Sequence, residues 1–165
     1  DFHPNCNYIV GGGEDRYVRL WDLQSGTCVR HFTGHKGAVT GVKFSPDGRY
    51  IASAGTDGRL LVWDIALQKM AALYQTSEPQ FRGMTSLAFS REGNTLAAGG
   101  VDNCVRFFSM EVATTHTSSQ EHLTPDPKVN PAGFEMFNFR TKQTPVLALH
   151  FSRKNLLVGV GAFGQ

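Results

Sequence analysis

Residues 34–64 constrain the fold of this chain most strongly, because they contain short alternating runs separated by tight-turn signals. The runs cover 39–44, 50–54 and 60–63, and the turn signals between them are Pro46-Asp47-Gly48 and Asp57-Gly58. Apolar and polar residues that alternate over so few positions are typical of half-buried strands, and Asp-Gly favours a two-residue hairpin. The stretch therefore predicts three consecutive antiparallel strands joined by hairpins.

The same pattern recurs along the chain at a regular spacing. The first run of each unit ends at Phe2, Phe44 or Phe89, which are 42 and 45 residues apart, and Phe151 follows 62 residues later. A unit of four short strands typically takes about 40–45 residues, so the last interval contains an insertion. We place the units at 1–33, 34–76, 77–143 and 144–165. The Thr-, Ser-, His- and Pro-rich segment 110–133 is predicted to be an exposed loop.

The composition excludes several classes of function. The chain has 165 residues, is 41% hydrophobic and carries a formal net charge of +2. Its basic residues are scattered, without the patch or stripe that is typical of nucleic-acid-binding domains. Cys6, Cys28 and Cys104 do not have the spacing of metal-binding or redox-active cysteines. No apolar run approaches the length of a membrane span, which is about 20 residues. We therefore expect no cofactor, no membrane insertion and no sequence-specific contact with nucleic acid.

The frame that begins with Gly34-His35 and ends with Trp63-Asp64 resembles a WD repeat over the whole of residues 34–64. This resemblance implies an all-β fold, the WD-repeat β-propeller, in which successive four-stranded blades surround an axis. Propellers use about 4–8 blades, and this chain would supply about three and a half of an expected seven. We interpret it as the C-terminal portion of a longer propeller protein.

One unit contains His35, Ser53 and Asp57, which raises the hypothesis of a serine hydrolase. A hydrolase needs an exposed serine beside an oxyanion hole, usually on a strained turn within a G-x-S-x-G motif. Ser53 instead lies in the middle of a predicted strand without that motif. The WD-repeat resemblance implies a structural tetrad, in which Asp57 pairs with His35, His35 with Ser53, and Ser53 with the indole of Trp63.

The other units contain only parts of this tetrad. The first unit retains Asp15 and Trp21, whereas the third retains Asp102 but has Phe108 at the tryptophan position. Gly11 and Ala98 occupy the serine position in these two units. Partial loss of the tetrad from unit to unit indicates that these residues serve packing and not a repeated catalytic site.

Two C-terminal pieces are similar to a narrower family. TKQTPV at 141–146 and LHFSRKNL at 149–156, together with DFHPN at 1–5 and RLWD at 19–22, resemble the WD-repeat TBP-associated factors of TFIID. That family has a close relative in SAGA-type histone acetyltransferase coactivators. The resemblance also implies an upstream helical domain and earlier blades.

This resemblance implies a non-enzymatic nuclear scaffold subunit that supports initiation by RNA polymerase II. Its expected partners are histone-fold and other TBP-associated factor subunits and the TBP complex. A subunit of a SAGA-type coactivator and a generic peptide-binding WD-repeat adaptor remain alternatives, and the hydrolase is the enzymatic alternative.

The loops before the first strands and the second hairpin turns of a propeller share one end of the blades. Such loops are where a propeller without chemistry would offer contacts, although the fold alone does not identify the partner. The sequence places Glu14, Lys36, Thr56, Arg82 and Val101 on this candidate partner face.

Overall fold

The computed structural model describes residues 1–76, 83–115, 129–142 and 144–161. This part of the chain is almost entirely β-structure, arranged as four antiparallel sheets in chain order. The first sheet contains β1 (Tyr8–Gly12), β2 (Tyr17–Asp22) and β3 (Cys28–Thr33), and the second contains β4 (Val39–Phe44), β5 (Tyr50–Gly55), β6 (Arg59–Asp64) and β7 (Lys69–Gln75). The third contains β8 (Met84–Phe89), β9 (Thr95–Gly100), β10 (Cys104–Ser109) and β11 (Glu135–Arg140), and the fourth contains β12 (Val146–Phe151) and β13 (Leu157–Gly161).

The two four-stranded sheets have the same simple topology, with each strand paired to its neighbour in sequence. Short hairpins produce this order within the second sheet and from β8 to β10, whereas the longer segment 110–134 joins β10 to β11. The turn between β5 and β6 uses Gly58 at a φ of 74°, and the equivalent turns use Arg16 at 69° and Asn103 at 60°. All three residues lie in the left-handed region, which glycine adopts without strain.

Successive sheets stack face to face, so that the central strands are covered on both sides. Between the first and second sheets, Val18, Leu20 and Phe32 belong to the same buried cluster as Ile51 and Trp63. A larger cluster joins the second and third sheets and contains Leu60, Val62, Tyr74, Leu96 and Phe108. Blades that bury their faces against neighbours are the architecture of a propeller, and the predicted all-β class of a partial WD-repeat propeller is confirmed.

Threonine hydroxyls add polar links between the first strands of adjacent sheets. Thr40 Oγ1 contacts the carbonyl oxygens of Ala54 in its own sheet and Met84 in the next. Thr85 Oγ1 repeats this arrangement with Gly99 and Val146. The repeated position shows that the same register is kept from the second sheet to the fourth.

The segment 110–133 differs from the exposed loop that the sequence predicts, although residues 116–128 lie outside the described residues. Met110–Thr115 forms a short helix, α1, in which Met110 and Ala113 are buried. Asn130 joins the outer edge of β7, since its side-chain amide and carboxamide oxygen bond to the backbone of Gln75 at 3.0 and 2.7 Å. Pro131 is buried as well. The described parts of this insertion therefore cover the edge and end of the second and third sheets.

The outer strand of the third sheet exposes aromatic side chains that have covered counterparts in the second sheet. Phe107 stacks on Phe137 with ring centroids 4.6 Å apart, and Phe139 is 60% exposed. The equivalent of Phe139 in the second sheet is Tyr74, which is 8% exposed because Phe108 of the third sheet packs on it. Phe107 packs against the cluster that contains Val146 and Leu149 of β12, whereas Phe137 and Phe139 remain exposed.

Candidate functional site

A continuous hydrogen-bonded network connects the core of the second sheet to the turn between β5 and β6. The Trp63 indole donates to Ser53 Oγ at 2.8 Å, and Ser53 Oγ lies 2.9 Å from His35 Nε2. His35 Nδ1 lies 3.2 Å from Asp57 Oδ2. Because Ser53 accepts from Trp63, its own proton is free to donate to Nε2, and Nδ1–H then donates to the carboxylate. The side-chain polar atoms that link Trp63, Ser53, His35 and Asp57 are thus all hydrogen-bonded within this network.

Asp57 extends the network to the backbone of the surface loops. Its Oδ2 accepts the Lys36 N–H at 2.6 Å and its Oδ1 accepts the Arg59 N–H at 3.1 Å. Burial alone would raise the pKa of Asp57, but the hydrogen bonds from His35 and from these two amides outweigh it, so the pKa lies below its ordinary value. The carboxylate therefore fixes the loop before β4 against the β5–β6 turn.

The lowered pKa of Asp57 predicts a stability contribution that depends on pH. The unfolded carboxyl titrates at about 3.9, and the folded one titrates lower. A depressed folded pKa contributes stability that is fully present above the unfolded pKa and is lost as the pH falls through the folded pKa. We expect the difference in free energy of unfolding between the wild type and Asp57→Asn to be constant above about pH 5 and to shrink below about pH 4.

Urea titrations of both full-length proteins between pH 3 and pH 7 measure this difference. The same substitution at Asp47, an exposed carboxylate in the first hairpin turn of the second sheet, is the control for a general effect of charge. A difference for Asp57→Asn that does not change with pH would contradict the proposed role of the ionised carboxylate.

The environment of Ser53 differs from that of a nucleophile. Its side chain is fully buried, and both the proton and a lone pair of its hydroxyl are engaged by His35 and Trp63. A nucleophilic serine requires access to a substrate carbonyl and a nearby set of oxyanion donors. The network is therefore suited to holding the sheet and its loops together, and we propose that role for it.

Ser53→Ala separates packing from catalysis. We expect the free energy of unfolding to fall by about 1–3 kcal/mol, because the buried Trp63 N–H and His35 Nε2 would lose their partner. Denaturant unfolding of the full-length protein measures this loss, with Ser25→Ala in an exposed turn as the matched control. Hydrolysis of an activated ester by the wild type that disappears in Ser53→Ala, with stability unchanged, would support the hydrolase instead.

The third sheet replaces the tetrad with a buried ion pair. Arg106 Nη2 donates to Asp102 Oδ2 at 2.5 Å, and the exposed fractions of the two side chains are 3% and 6%. Burial alone would lower the pKa of Arg106, but the hydrogen bond and charge of Asp102 hold it above its ordinary value. Phe108 fills the position of Trp63 and packs against Tyr74 with ring centroids 5.0 Å apart. Asp102, which the sequence suggested as a remnant of the tetrad, is instead the anionic member of a buried ion pair with Arg106.

In the first sheet, an Asp–Arg ion pair near the surface likewise takes the place of the tetrad. Asp15 forms an ion pair with Arg19, and this hydrogen bond is the main reason why the pKa of Asp15 lies below its ordinary value. Trp21 does not join this pair and is 38% exposed, because no described strand packs on that side of the first sheet. The partial tetrad predicted from Asp15 and Trp21 is therefore not assembled by the described residues.

The strand register explains why arginine appears in these two sheets. Arg19 lies opposite Gly11 and Arg106 lies opposite Ala98, whereas Ser53 lies opposite Leu61. A small residue at the serine position leaves room for a long cross-strand side chain, which then reaches the aspartate. The signal in the sequence is the Asp-x-x-x-Arg spacing at 15–19 and 102–106, which is absent at 57–61. Neither arginine was among the predicted site residues.

The candidate partner face is formed by loops that contact one another in succession. Val39 N–H bonds to Gly13 O at 3.0 Å, Thr56 N–H to Ala38 O at 2.9 Å, and Val101 N–H to Gly83 O at 3.2 Å. These bonds place the loops at the same end of three sheets. The predicted face residues are exposed at Glu14, Lys36 and Thr56 and half-buried at Val101, whereas Arg82 lies outside the described residues.

No group of three or more metal-ligating side chains converges among residues 1–76, 83–115, 129–142 and 144–161. His116 and His122, which show no ligand spacing in the sequence, lie outside these ranges. No helix within the same ranges has the length and apolar character of a membrane span.

The WD domain, G-beta repeat family matches residues 1–22, 26–64 and 75–109. The chain is 46% identical over 167 aligned positions to transcription initiation factor TFIID subunit 5 of Caenorhabditis elegans, which covers 100% of this chain and 26% of that protein. It is 38% identical over 101 positions to a guanine nucleotide-binding protein subunit beta of Arabidopsis thaliana, covering 60% of this chain and 27% of that protein. A third relative, periodic tryptophan protein 2 of the same plant, is 33% identical and covers 62% of this chain and 11% of that protein.

The chain spans about a quarter of the length of TFIID subunit 5, and the similarity to that protein covers every unit from 1–33 to 144–165. The other two relatives are similar over shorter parts of the chain. Repeats, fold and full-length similarity thus agree with the resemblance found in the sequence. The chain belongs to the WD-repeat family, and its predicted membership of the WD-repeat TBP-associated factors is confirmed.

Proposed function

We propose that this protein is a non-enzymatic scaffold subunit of the general transcription factor TFIID and supports transcription initiation by RNA polymerase II. The observation that carries the proposal is the 46% identity to TFIID subunit 5 along the whole chain. In this proposal the protein acts in the nucleus. Its partners are histone-fold and other TBP-associated factor subunits and the TBP complex.

The arrangement of the second sheet supports a role in protein contacts. The Asp57 carboxylate holds the backbone of Lys36 and Gly37 at 2.6 and 3.3 Å, so the loop before β4 has a fixed shape. A preorganised loop loses less conformational entropy when a partner binds. The buried network would then serve function indirectly, by presenting the exposed side chains of Lys36 and Thr56 in one geometry.

Depletion of the full-length protein from nuclear extract tests the proposal. We expect initiation at a TBP-dependent promoter to fall, and purified complex containing the wild-type protein to restore it. Complex prepared with Glu14→Lys and Lys36→Glu is expected to lose partner subunits and to restore less transcription, because both side chains are exposed on the face that would bind them.

The matched control is Lys69→Glu with Glu111→Lys, which makes the same two charge changes at exposed positions outside this face. Full recovery with the control and poor recovery with the face variant is the expected result. Unchanged initiation after depletion would contradict the role in initiation, and equal recovery with both variants would exclude this face. Depletion that instead affects only acetyltransferase-dependent promoters would move the protein to a SAGA-type coactivator.

A further inference from the structure

The first strands of the third and fourth sheets, β8 and β12, end at a cavity. This cavity lies at the opposite end of the sheets from the candidate partner face. The cavity has a volume of about 540 Å³ and is bordered by the second, third and fourth sheets. Its lining consists of Pro46, the last residue of β8 with the two residues after it (89–91), and the last two residues of β12 with the two after them (150–153). Clefts and cavities that bind small ligands commonly have volumes of about 300–1,000 Å³. The cavity is thus large enough for one or two bulky side chains.

The floor of this cavity is apolar because serine stands where the first unit has a histidine that covers a phenylalanine ring. In the first unit, the His3 ring packs edge-on against Phe44 with centroids 4.9 Å apart, and Phe44 is 5% exposed. The positions equivalent to His3 in the next two units are Ser45 and Ser90. Serine side chains are too short to cover the neighbouring ring, so Phe89 and Phe151 both remain partly accessible.

The hydroxyls of these serines are also turned away from the cavity. Ser45 Oγ donates to Asp47 at 2.5 Å and accepts the Tyr50 N–H at 2.9 Å. Ser90 Oγ lies 2.9 Å from the Asn94 carboxamide oxygen and accepts the Thr95 N–H at 3.1 Å. Both hydroxyls therefore stabilise their own hairpin turns. The two phenylalanine rings remain as an apolar floor.

The rim of the cavity is basic. Arg91, His150 and Arg153 are exposed there, and no aspartate or glutamate belongs to the lining. The Arg91 guanidinium donates to the backbone carbonyl of Arg153 at 3.2 Å, and neither arginine forms an ion pair with a described carboxylate. Glu92 lies in the same turn as Arg91 and keeps its charge, but it accepts from Asn94 at 3.3 Å and is not part of the lining. Within the lining, the permanently charged side chains are Arg91 and Arg153, so the lining itself favours negative charge.

We propose that this cavity binds an acidic peptide segment, which inserts an aromatic or aliphatic side chain between Phe89 and Phe151. Carboxylates on either side of that side chain face Arg91 and Arg153. Apolar insertion supplies the burial, and the arginines select the charge and the register of the peptide. This surface is separate from the partner face that carries the proposed function.

A nucleic acid fits the same surface less well. Binding of a single strand uses a groove that follows several phosphates together with a series of stacking rings. Here the cations with a permanent charge are limited to two arginines, and the cavity is a single depression lined by three consecutive sheets. One inserted side chain with flanking carboxylates matches this geometry more closely.

Fluorescence anisotropy with the full-length protein tests the proposal. The probe is a fluorescent 12-residue peptide in which two phenylalanines are flanked by aspartate and glutamate. We expect saturable binding that weakens about tenfold or more in Arg91→Glu with Arg153→Glu, because two attractive contacts become repulsive. Both side chains are exposed and the bond from Arg91 to the Arg153 carbonyl lies at the surface, so we expect little change in the midpoint of thermal unfolding.

Two controls separate the cavity from general electrostatic attraction. Arg30→Glu with Arg140→Glu makes the same charge change on the outer strands β3 and β11, and should leave binding unchanged. A probe with alanine in place of both phenylalanines should bind at least about tenfold more weakly, because it loses the apolar insertion.

Three outcomes would overturn the proposal. The first is no saturable binding of the acidic probe by the wild type. The second is equal weakening by the rim variant and the outer-strand control. The third is displacement of the peptide by an oligo(U) strand that binds more tightly than the peptide, which would assign the surface to nucleic acid.

Discussion

Replacing Arg106 with leucine is expected to lower the free energy of unfolding by about 3–5 kcal/mol, because Asp102 would keep a buried charge without its partner. Both side chains are almost fully buried, and their atoms are 2.5 Å apart. Water cannot compensate the isolated carboxylate at this depth. Denaturant unfolding of the full-length protein, followed at pH 7, measures the loss.

The double variant Asp102→Asn with Arg106→Leu provides the critical comparison. It removes both charges, and we expect it to recover most of the lost stability, since an uncharged pair has a small desolvation cost. Arg19→Leu is the matched single control, because its partner Asp15 lies at the surface, where ion pairs contribute little. A loss in Arg106→Leu that the double variant does not reduce would show that packing, and not charge, dominates at this site.

Trp63→Ala is the second substitution with a large expected effect. We expect a loss of about 3–5 kcal/mol in the free energy of unfolding, because the indole is 3% exposed and packs against Phe32 with ring centroids 5.3 Å apart. The same change also leaves Ser53 Oγ without the Trp63 N–H. Thermal and urea unfolding of the full-length protein measure the loss.

Two further variants divide this effect into its parts. Trp63→Phe keeps most of the ring but removes the N–H donor, so a loss of about 1 kcal/mol is expected from the hydrogen bond. Ser53→Ala removes the acceptor of the indole N–H but keeps the ring on Phe32, and should cost less than Trp63→Ala. Equal losses for Ser53→Ala and Trp63→Ala would contradict the assignment of most of the effect to burial of the indole.

Local pattern was sufficient to predict most of the sheet structure. The P-D-G and D-G turns bound runs that the structure shows as β4, β5 and β6, since hairpin geometry depends on a few neighbouring residues. The contacts within the tetrad of the second unit were implied by the resemblance to a WD repeat. Each link joins residues whose positions are set by consecutive strands of one sheet.

Features that depend on contacts between distant parts of the chain were harder to predict. The Asp102–Arg106 pair needs the cross-strand register that places Arg106 opposite Ala98, and the Asp-x-x-x-Arg spacing alone does not show that the pair is buried. The helix α1 lies in a segment of polar, loop-like composition, and burial of Met110 and Ala113 on neighbouring strands stabilises it. Residues of β5 are buried on both faces, so alternation could not assign its inward side.

We propose that this chain is a structural module of a TFIID subunit that functions through protein contacts. Affinity purification of the full-length protein from nuclear extract, followed by mass spectrometry, tests this role. We expect recovery of TBP together with histone-fold subunits. Recovery of a histone acetyltransferase without TBP, or of neither set of proteins, would contradict it.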